Sequence, residues 1–238
     1  LKGYSQKNTP GEVPARGGEG GSGKGTRGRV ISGLLKPDRG RVTLDGYDIY
    51  GCGRKATPRG RISIVFQDYT TSVNPRFRVG DILGESLRVL ARNGRMDNRP
   101  RRDQIKDLLA QVGLSADYAI RFPHELSGGQ LQRVCIARAV AVKPELIVLD
   151  EAISSLDAST QTQVMDLLLE LRRRHGFSYC FVTRDLTAVT YVCGRVVFFH
   201  GGEIAETVDD LDYLPYVQNE YARRLLDSVI QVSFGEAC

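Results

Sequence analysis

The apolar run Leu146-Ile147-Val148-Leu149 closes on two adjacent carboxylates, Asp150 and Glu151. A buried strand that ends this way presents a magnesium ligand and a catalytic base side by side. Upstream, Leu126-Ser127-Gly128-Gly129-Gln130 stands just before a helical pattern. A turn of this composition at a helix start offers its N–H groups to an anion, and the positive end of the helix favours negative charge there. Ser155-Leu156-Asp157 follows the carboxylate pair. The plainer reading is ordinary helix–strand packing with surface carboxylates at a strand end. The apolar residues before Asp150 and the aspartate at 157 weigh against it.

A second phosphate-facing device lies near the start of the chain. Gly18-Glu19-Gly20-Gly21-Ser22-Gly23-Lys24-Gly25-Thr26 resembles a P-loop. Glycines let such a loop fold tightly, so that successive N–H groups point inward at phosphate oxygens. Lys24 is then placed to reach the β- and γ-phosphates. The competing reading is a flexible glycine-rich linker, which Asp150 and the rest of the chain disfavour. The loop departs from its motif at Gly25, where a hydroxyl that binds Mg²⁺ is expected. Thr26, one position on, normally lies near the α-phosphate. The segment before the loop, Val13-Pro14-Ala15-Arg16-Gly17, is also unusual for a central strand. Proline removes a ladder donor and a buried arginine is costly, so either a distorted strand or a degraded N-terminal segment is expected there.

The elements that must position these residues alternate between strand and helix. Helical periodicity over Val30-Ile31 and Leu34-Leu35 stops near Lys36-Pro37. Val42-Thr43-Leu44 reads as a strand followed by an Asp45-Gly46 turn, and Ile62–Phe66 as another strand ending at Gln67. From about Val79 to Ile120 the pattern is helical without a clear strand. A helix over 129–142, a strand over 145–150, a helix over 158–174 and a strand over Ser178–Thr183 follow. A short helix, two strands near Val196–Phe199 and Glu203–Ala205, and a helix over 218–230 complete the order. Such alternation implies a mainly parallel sheet covered on both faces.

Composition bounds the function. The chain has 238 residues, 41% hydrophobic and 26% charged, as in an ordinary globular domain. No apolar run approaches the ~20 residues of a membrane span, and no secretory signal is visible. The chain opens on Leu1 rather than Met, so a start further upstream is expected. The net charge of +5 owes much to Arg88, Arg92, Arg95, Arg99, Arg101 and Arg102. These lack the interleaved aromatics of a nucleic-acid surface and read as a solvated helical face. Cys52, Cys135, Cys180, Cys193 and Cys238 are scattered and form no CxxC pair, which suits free thiols in a reducing compartment.

The block from Leu126 to Asp157, with the loop at 18–26, resembles the ATP-binding subunit of an ABC transporter. The likeness runs from about Gly11 to Ile230. It implies an α/β fold of the P-loop NTPase, ABC type: a mainly parallel sheet with an inserted helical subdomain and a small antiparallel portion. The chain is read as one domain over 1–238, short at its N-terminus, with the helical insertion at 79–126 and a C-terminal helical tail at 207–238. The resemblance implies ATP and Mg²⁺ as cofactors. Gly18 through Thr26 would bind ATP. Asp150 and Gln67 would hold Mg²⁺, and Glu151 would polarise the attacking water, with Gln67 and Arg184 beside it. In this family two domains dimerise head to tail, so Ser127, Gly128, Gly129 and Gln130 would close on the partner's nucleotide. Asp157 resembles the D-loop aspartate at that interface.

Phe181-Val182-Thr183-Arg184-Asp185-Leu186 resembles the family's switch region, with Arg184 where a histidine is usual. Arginine is also cationic, but it is longer and cannot act as a neutral acceptor. His124, His175 and His200 stand elsewhere and read as surface or loop residues. Tyr4 is a poorly placed candidate for stacking on adenine. Because Gly25 and Arg184 fall in one half-site, a weakened or non-hydrolysing site in an asymmetric dimer is the alternative reading.

Phe66-Gln67-Asp68 through Asn74-Pro75-Arg76, and the tail Glu220–Leu226, resemble importers of dipeptides, oligopeptides and nickel. The run Gly129–Arg138 leans toward the nickel or metallophore branch. The expected partners are a second ATP-binding subunit, membrane permease subunits and, indirectly, a solute-binding protein, with no nucleic acid. The expected place is the cytoplasmic face of the membrane. Two further readings are a soluble ABC ATPase acting on DNA or ribosomes, and a regulatory nucleotide-binding subunit without turnover. The first predicts long insertions or tandem domains, and the chain shows neither.

Overall fold

Leu146, Ile147, Val148 and Leu149 are all buried, although alternate residues of a strand face opposite ways. A strand can bury both faces only between two layers, and the fold supplies them. The computed structural model describes residues 14–17, 24–51, 60–95 and 97–235. The strands are β1 (Pro14–Gly17), β2 (Thr43–Leu44), β3 (Tyr47–Asp48), β4 (Ile62–Val65), β5 (Leu146–Asp150), β6 (Ser178–Val182), β7 (Arg195–His200) and β8 (Glu203–Val208). The helices are α1 (Lys24–Ile31), α2 (Val79–Arg92), α3 (Arg101–Gln111), α4 (Gly128–Ala141), α5 (Ala158–His175), α6 (Leu186–Val192) and α7 (Glu220–Gly235).

The main sheet has the order β4-β5-β6-β1-β7-β8. The first five strands in that order run parallel, and β8 returns antiparallel to β7. β2 and β3 form a separate antiparallel hairpin through Asp45 and Gly46, both at positive φ. On one face of the sheet, Ile147, Leu149, Tyr179, Phe181, Val196 and Phe198 join the large core with residues of α4, α5 and α6. On the other, Leu146, Val148, Cys180 and Val182 pack with Ile31 of α1. Strand alternation therefore assigns Asp150 to the α1 face, two residues beyond Val148.

Of the segment Val13–Gly17, Val13 lies outside the described residues, and Pro14–Gly17 corrects the expectation of a distorted strand. In place of a distorted strand, β1 pairs on both sides, Ala15 opposite Phe181 and Val196 and Arg16 opposite Val182 and Val197. Pro14 is the first residue of the strand, a position where its missing donor is tolerated. The helix expected to reach Lys36-Pro37 stops instead at Ile31. Gly33 turns the chain at φ +82°, and Leu34 and Leu35 both donate N–H to the Arg29 carbonyl. That closure leaves Leu34 58% exposed.

The described part of 79–120 is helical, with α2 and α3 followed by a 3₁₀ turn at Ala116–Ile120. Arg88, Arg92, Arg95, Arg99, Arg101 and Arg102 are exposed, as a solvated face requires. Asp97 is held down to about 2 by the Arg99 side chain. Cys135, Cys180 and Cys193 are buried free thiols, and burial pushes Cys135 and Cys193 up. Cys52 and Cys238 lie outside the described residues. No helix among the described residues is long and apolar enough to cross a membrane.

The two layers predict contrasting mutants. Leu149→Ala, fully buried in β5, is expected to lower the unfolding free energy by about 3 kcal/mol. Leu34→Ala, beyond the end of α1, is expected to change it by less than about 0.5 kcal/mol. Urea unfolding followed by circular dichroism measures both.

Candidate functional site

The carboxyl ends of β4, β5, β6 and β1 lie along one edge of the sheet. Val65 is level with Leu149, Asp150 with Val182, and Arg16 with Val182 from the other side. Gln67, Asp150-Glu151, Arg184 and the segment leaving Gly17 therefore emerge together. Parallel strands place ligands at this edge, where loops leave the sheet and helix N-termini arrive.

Asp150 faces the start of α1. A Cβ built on Gly25 would lie 3.8 Å from each carboxylate oxygen of Asp150, and one on Gly28 would touch Val148, Val182 and Asp150 Cγ. Both distances are ordinary van der Waals contacts, so α1 lies against the ends of β5 and β6 with room for no more than a small side chain at either position. Lys24 is the first residue of α1. Gly18, Glu19, Gly20, Gly21, Ser22 and Gly23, and also Tyr4, lie outside the described residues. Thr26, the candidate substitute for the missing hydroxyl, is exposed on α1.

Glu151 leaves the strand with φ +46°. A non-glycine residue rarely adopts that conformation, and surrounding bonds must hold it. Its N–H donates to the Val182 carbonyl at 2.7 Å. Its own carbonyl accepts from Ser154 N and Oγ at 3.2 and 2.9 Å. Its carboxylate is largely covered, with 16% side-chain exposure, and pairs with Arg184 Nη2 at 3.3 Å. Arg184 is itself 57% exposed, so the pair joins a covered carboxylate to a cation that solvent and other anions can reach. Beyond it, Asp185 caps α6 by accepting from Thr187 N and Ala188 N at 2.9 and 3.2 Å.

Gln67 is exposed just past β4. The chain then turns around Asp68, which accepts from Thr70 N and Thr71 N at 3.0 and 3.1 Å and from Thr70 Oγ1. The Thr70 hydroxyl and the Thr71 N–H hold its carboxyl down to about 2. Arg138 of α4 binds the Ser72 carbonyl through Nη1, so the segment after Gln67 is fastened to the helix that Ser127 opens.

That helix begins with a capping box. Ser127 Oγ accepts from Gln130 N at 3.3 Å, and Gln130 Oε1 accepts from Ser127 N at 3.0 Å. The reciprocal pair satisfies donors that a helix start leaves open. Gln130 Nε2 also donates to Tyr118 OH at 2.9 Å. A Cβ on Gly128 would meet Tyr69 OH at 2.6 Å, and one on Gly129 would meet Thr160 Cγ2 at 2.6 Å. A side chain at either position would displace its neighbour, the tip of Tyr69 at 128 and the stiff, β-branched Thr160 at 129. Asp157 caps α5 through Thr160 N at 3.0 Å and Thr160 Oγ1 at 2.7 Å, and these bonds lower its pKa, the hydroxyl first. Ser127–Gln130 and Asp157 thus share Thr160 as a neighbour.

His124 stacks on Phe122, His175 meets Gln111 at 2.8 Å, and His200 packs on Tyr221. His200 ends β7 at the same edge of the sheet, beyond β1, and none of the three stands beside Glu151, where Arg184 does. The sequence did not single out Tyr69, Thr160 or the left-handed Glu151. The run of glycines at 128 and 129 signals close approach, but not which residue approaches.

Comparison with known proteins agrees with this geometry. The family model for the ABC transporter matches residues 1–154. The metal-staphylopine import system ATP-binding protein CntF of Staphylococcus aureus is 42% identical over 237 residues, covering 98% of this chain and 90% of that protein. The nickel import ATP-binding protein NikE of Rhodospirillum rubrum is 48% identical over 198 residues, covering 82% and 70%. Among solved structures, the dimeric post-hydrolysis state of the ATP-binding cassette MJ0796 bound to ADP and Pi aligns with a TM-score of 0.74 at 30% identity. It covers 87% of this chain and 89% of that one. The chain belongs to the ABC transporter family. Within that family it is an ATP-binding subunit of the importer kind, an ATPase by class.

The contact between Gly129 and Thr160 makes a paired prediction. Gly129→Ala forces a methyl onto a stiff β-branched side chain and is expected to destabilise the fold by about 1–3 kcal/mol. Adding Thr160→Ser removes Cγ2, keeps the hydroxyl on Asp157, and is expected to restore most of the loss. Thermal unfolding of the single and double variants measures the coupling.

Proposed function

We propose that this subunit binds MgATP between the 18–26 loop and the carboxyl edge of the sheet, and that its hydrolysis drives uptake of peptides, nickel or a related metal complex. The observation that carries the reading is the Asp150 carboxylate set against Gly25 at the start of α1. Phosphates held at the start of α1 would lie on the side of β5 to which Asp150 belongs. The chain holds acceptor groups suited to a hard cation in Asp150 and Gln67, which would retain Mg²⁺. The metal would neutralise phosphate charge. Glu151, next along the chain, would orient and deprotonate the attacking water. Arg184 would exchange its pairing with Glu151 for the γ-phosphate, leaving the base free. Lys24 would bind the β- and γ-phosphates.

Ser127, Gly128, Gly129 and Gln130 would serve the nucleotide of a second ATP-binding subunit, identical or related, with Asp157 at the shared face. The helices at 79–126 would act as the inserted subdomain that meets the permease subunits, with 207–238 as the tail of a single domain. Residues 68–72, fastened to α4 by Arg138, would carry movement from Gln67 to Ser127. The subunit would work at the cytoplasmic face of the membrane, beside permeases fed by a solute-binding protein, without nucleic acid. Relatives named for metal-staphylopine and nickel import support the metal-complex side of the solute range. The alternative of a site with little or no turnover, suggested by Gly25 and Arg184, finds no support in these comparisons.

The test is MgATP hydrolysis by the purified chain with Glu151→Gln as the blank. Turnover above the blank is expected. Gly25→Ser adds a hydroxyl beside Asp150 without a clash, and it is expected to lower the Mg²⁺ concentration for half-maximal rate by roughly tenfold, as one further oxygen ligand for a hard cation would. No wild-type turnover above a protein-free control would refute the hydrolytic reading, turnover by Glu151→Gln at the wild-type rate would refute the base, and an unchanged Mg²⁺ requirement would refute the placement of the metal.

A further inference from the structure

Gln132 lies in the second turn of α4, and none of its surface is exposed. Its Nε2 donates to the Ala152 carbonyl at 2.6 Å. Its Oε1 is buried and has no hydrogen-bond partner among the described residues. The Ala152 carbonyl can only accept, so it fixes which end of the amide faces it. A buried amide with one end unmatched costs more than a methionine of similar shape. Core stability alone therefore does not favour glutamine at this position. What the amide provides is a grip on one carbonyl.

That carbonyl belongs to the residue after Glu151. The turn it stabilises begins at the left-handed Glu151 and is held from three directions. β6 holds it through the Val182 carbonyl, which accepts from Glu151 N at 2.7 Å. α5 holds it through Gln161, whose Nε2 donates to the Ile153 carbonyl at 3.0 Å. α4 holds it through Gln132, immediately beside the carboxylate-bearing residue. A strained backbone persists only when its surroundings over-determine it, and the peptide joining Ala152 to Ile153 takes its orientation from Gln132.

We propose that Gln132 is a positioning residue for Glu151. It ties the helix opened by Ser127 to the turn that carries the base, and so sets the aim of the carboxylate at the attacking water. This rests on Glu151 being the base. Without the bond the turn relaxes and the carboxylate drifts. Misplacement by a fraction of an ångström lowers the chemical step without disturbing phosphate binding at the other side of the site.

The experiment compares MgATP hydrolysis by the purified full chain with Gln132→Met, Gln132→Glu and Glu151→Gln. Gln132→Met keeps the shape and loses the donor. Its kcat is expected to fall roughly tenfold while KM for ATP stays within about twofold of wild type. Gln132→Glu keeps a donor only while its buried carboxyl is neutral, a state that burial favours. Its kcat relative to wild type is expected to be near one at about pH 6 and to decline toward about pH 9, with KM unchanged.

A merely structural role would lower thermal midpoints without separating kcat from KM. Wild-type kcat in Gln132→Met, with Glu151→Gln silent, overturns the proposal and leaves the base assignment standing. Turnover by Glu151→Gln at the wild-type rate overturns both. If Gln132→Met fails to fold, the Gln132→Glu ratio decides: a decline with pH supports the proposal and a flat ratio overturns it.

Discussion

β5 is buried on both faces and ends in two charged residues, and the site follows from how those two demands are met. A fully covered strand cannot carry a carboxylate along its length without a large desolvation cost. The charges must therefore fall at its last position, where the layers part. Alternation then sends Asp150 toward α1. The left-handed backbone at Glu151 breaks the alternation, so that its carboxylate meets Arg184 beyond β6. Adjacent residues thus receive different surroundings.

The other elements hold that ending in place. α1 lies against β5, with Gly25 and Gly28 facing Asp150 and Val148. α4 reaches the same turn from the opposite layer through Gln132, while its first residues form the Ser127 cap. α5 is capped by Asp157 through Thr160, which also bears on Gly129. A movement of α4 would thus be felt both at Asp157 and at the turn after Glu151.

Much of this was legible in the sequence, for physical reasons that vary by element. β5 announced itself as a continuous apolar run, and the helices from 79 onward as a switch from period two to period 3.6. The Ser127–Gln130 cap was readable because a capping box is local. The end of α1 was not, since Leu34 and Leu35 continue the apolar pattern while Gly33 turns the chain. β1 was misjudged because its residues oppose a central strand, and only the register places Pro14 at the tolerated first position. The roles of Gln132, Tyr69 and Thr160 depend on contacts between segments distant in sequence, which periodicity does not encode.

The central claim is that the two carboxylates divide the work, Asp150 holding the metal and Glu151 serving the water. Titration calorimetry of ATP, with and without Mg²⁺, into wild type, Asp150→Asn and Glu151→Gln tests it most directly. The account predicts that Glu151→Gln binds ATP with the same Mg²⁺ enhancement as wild type, and that Asp150→Asn loses the enhancement. Equal enhancement in both variants, or its loss in Glu151→Gln alone, would contradict it.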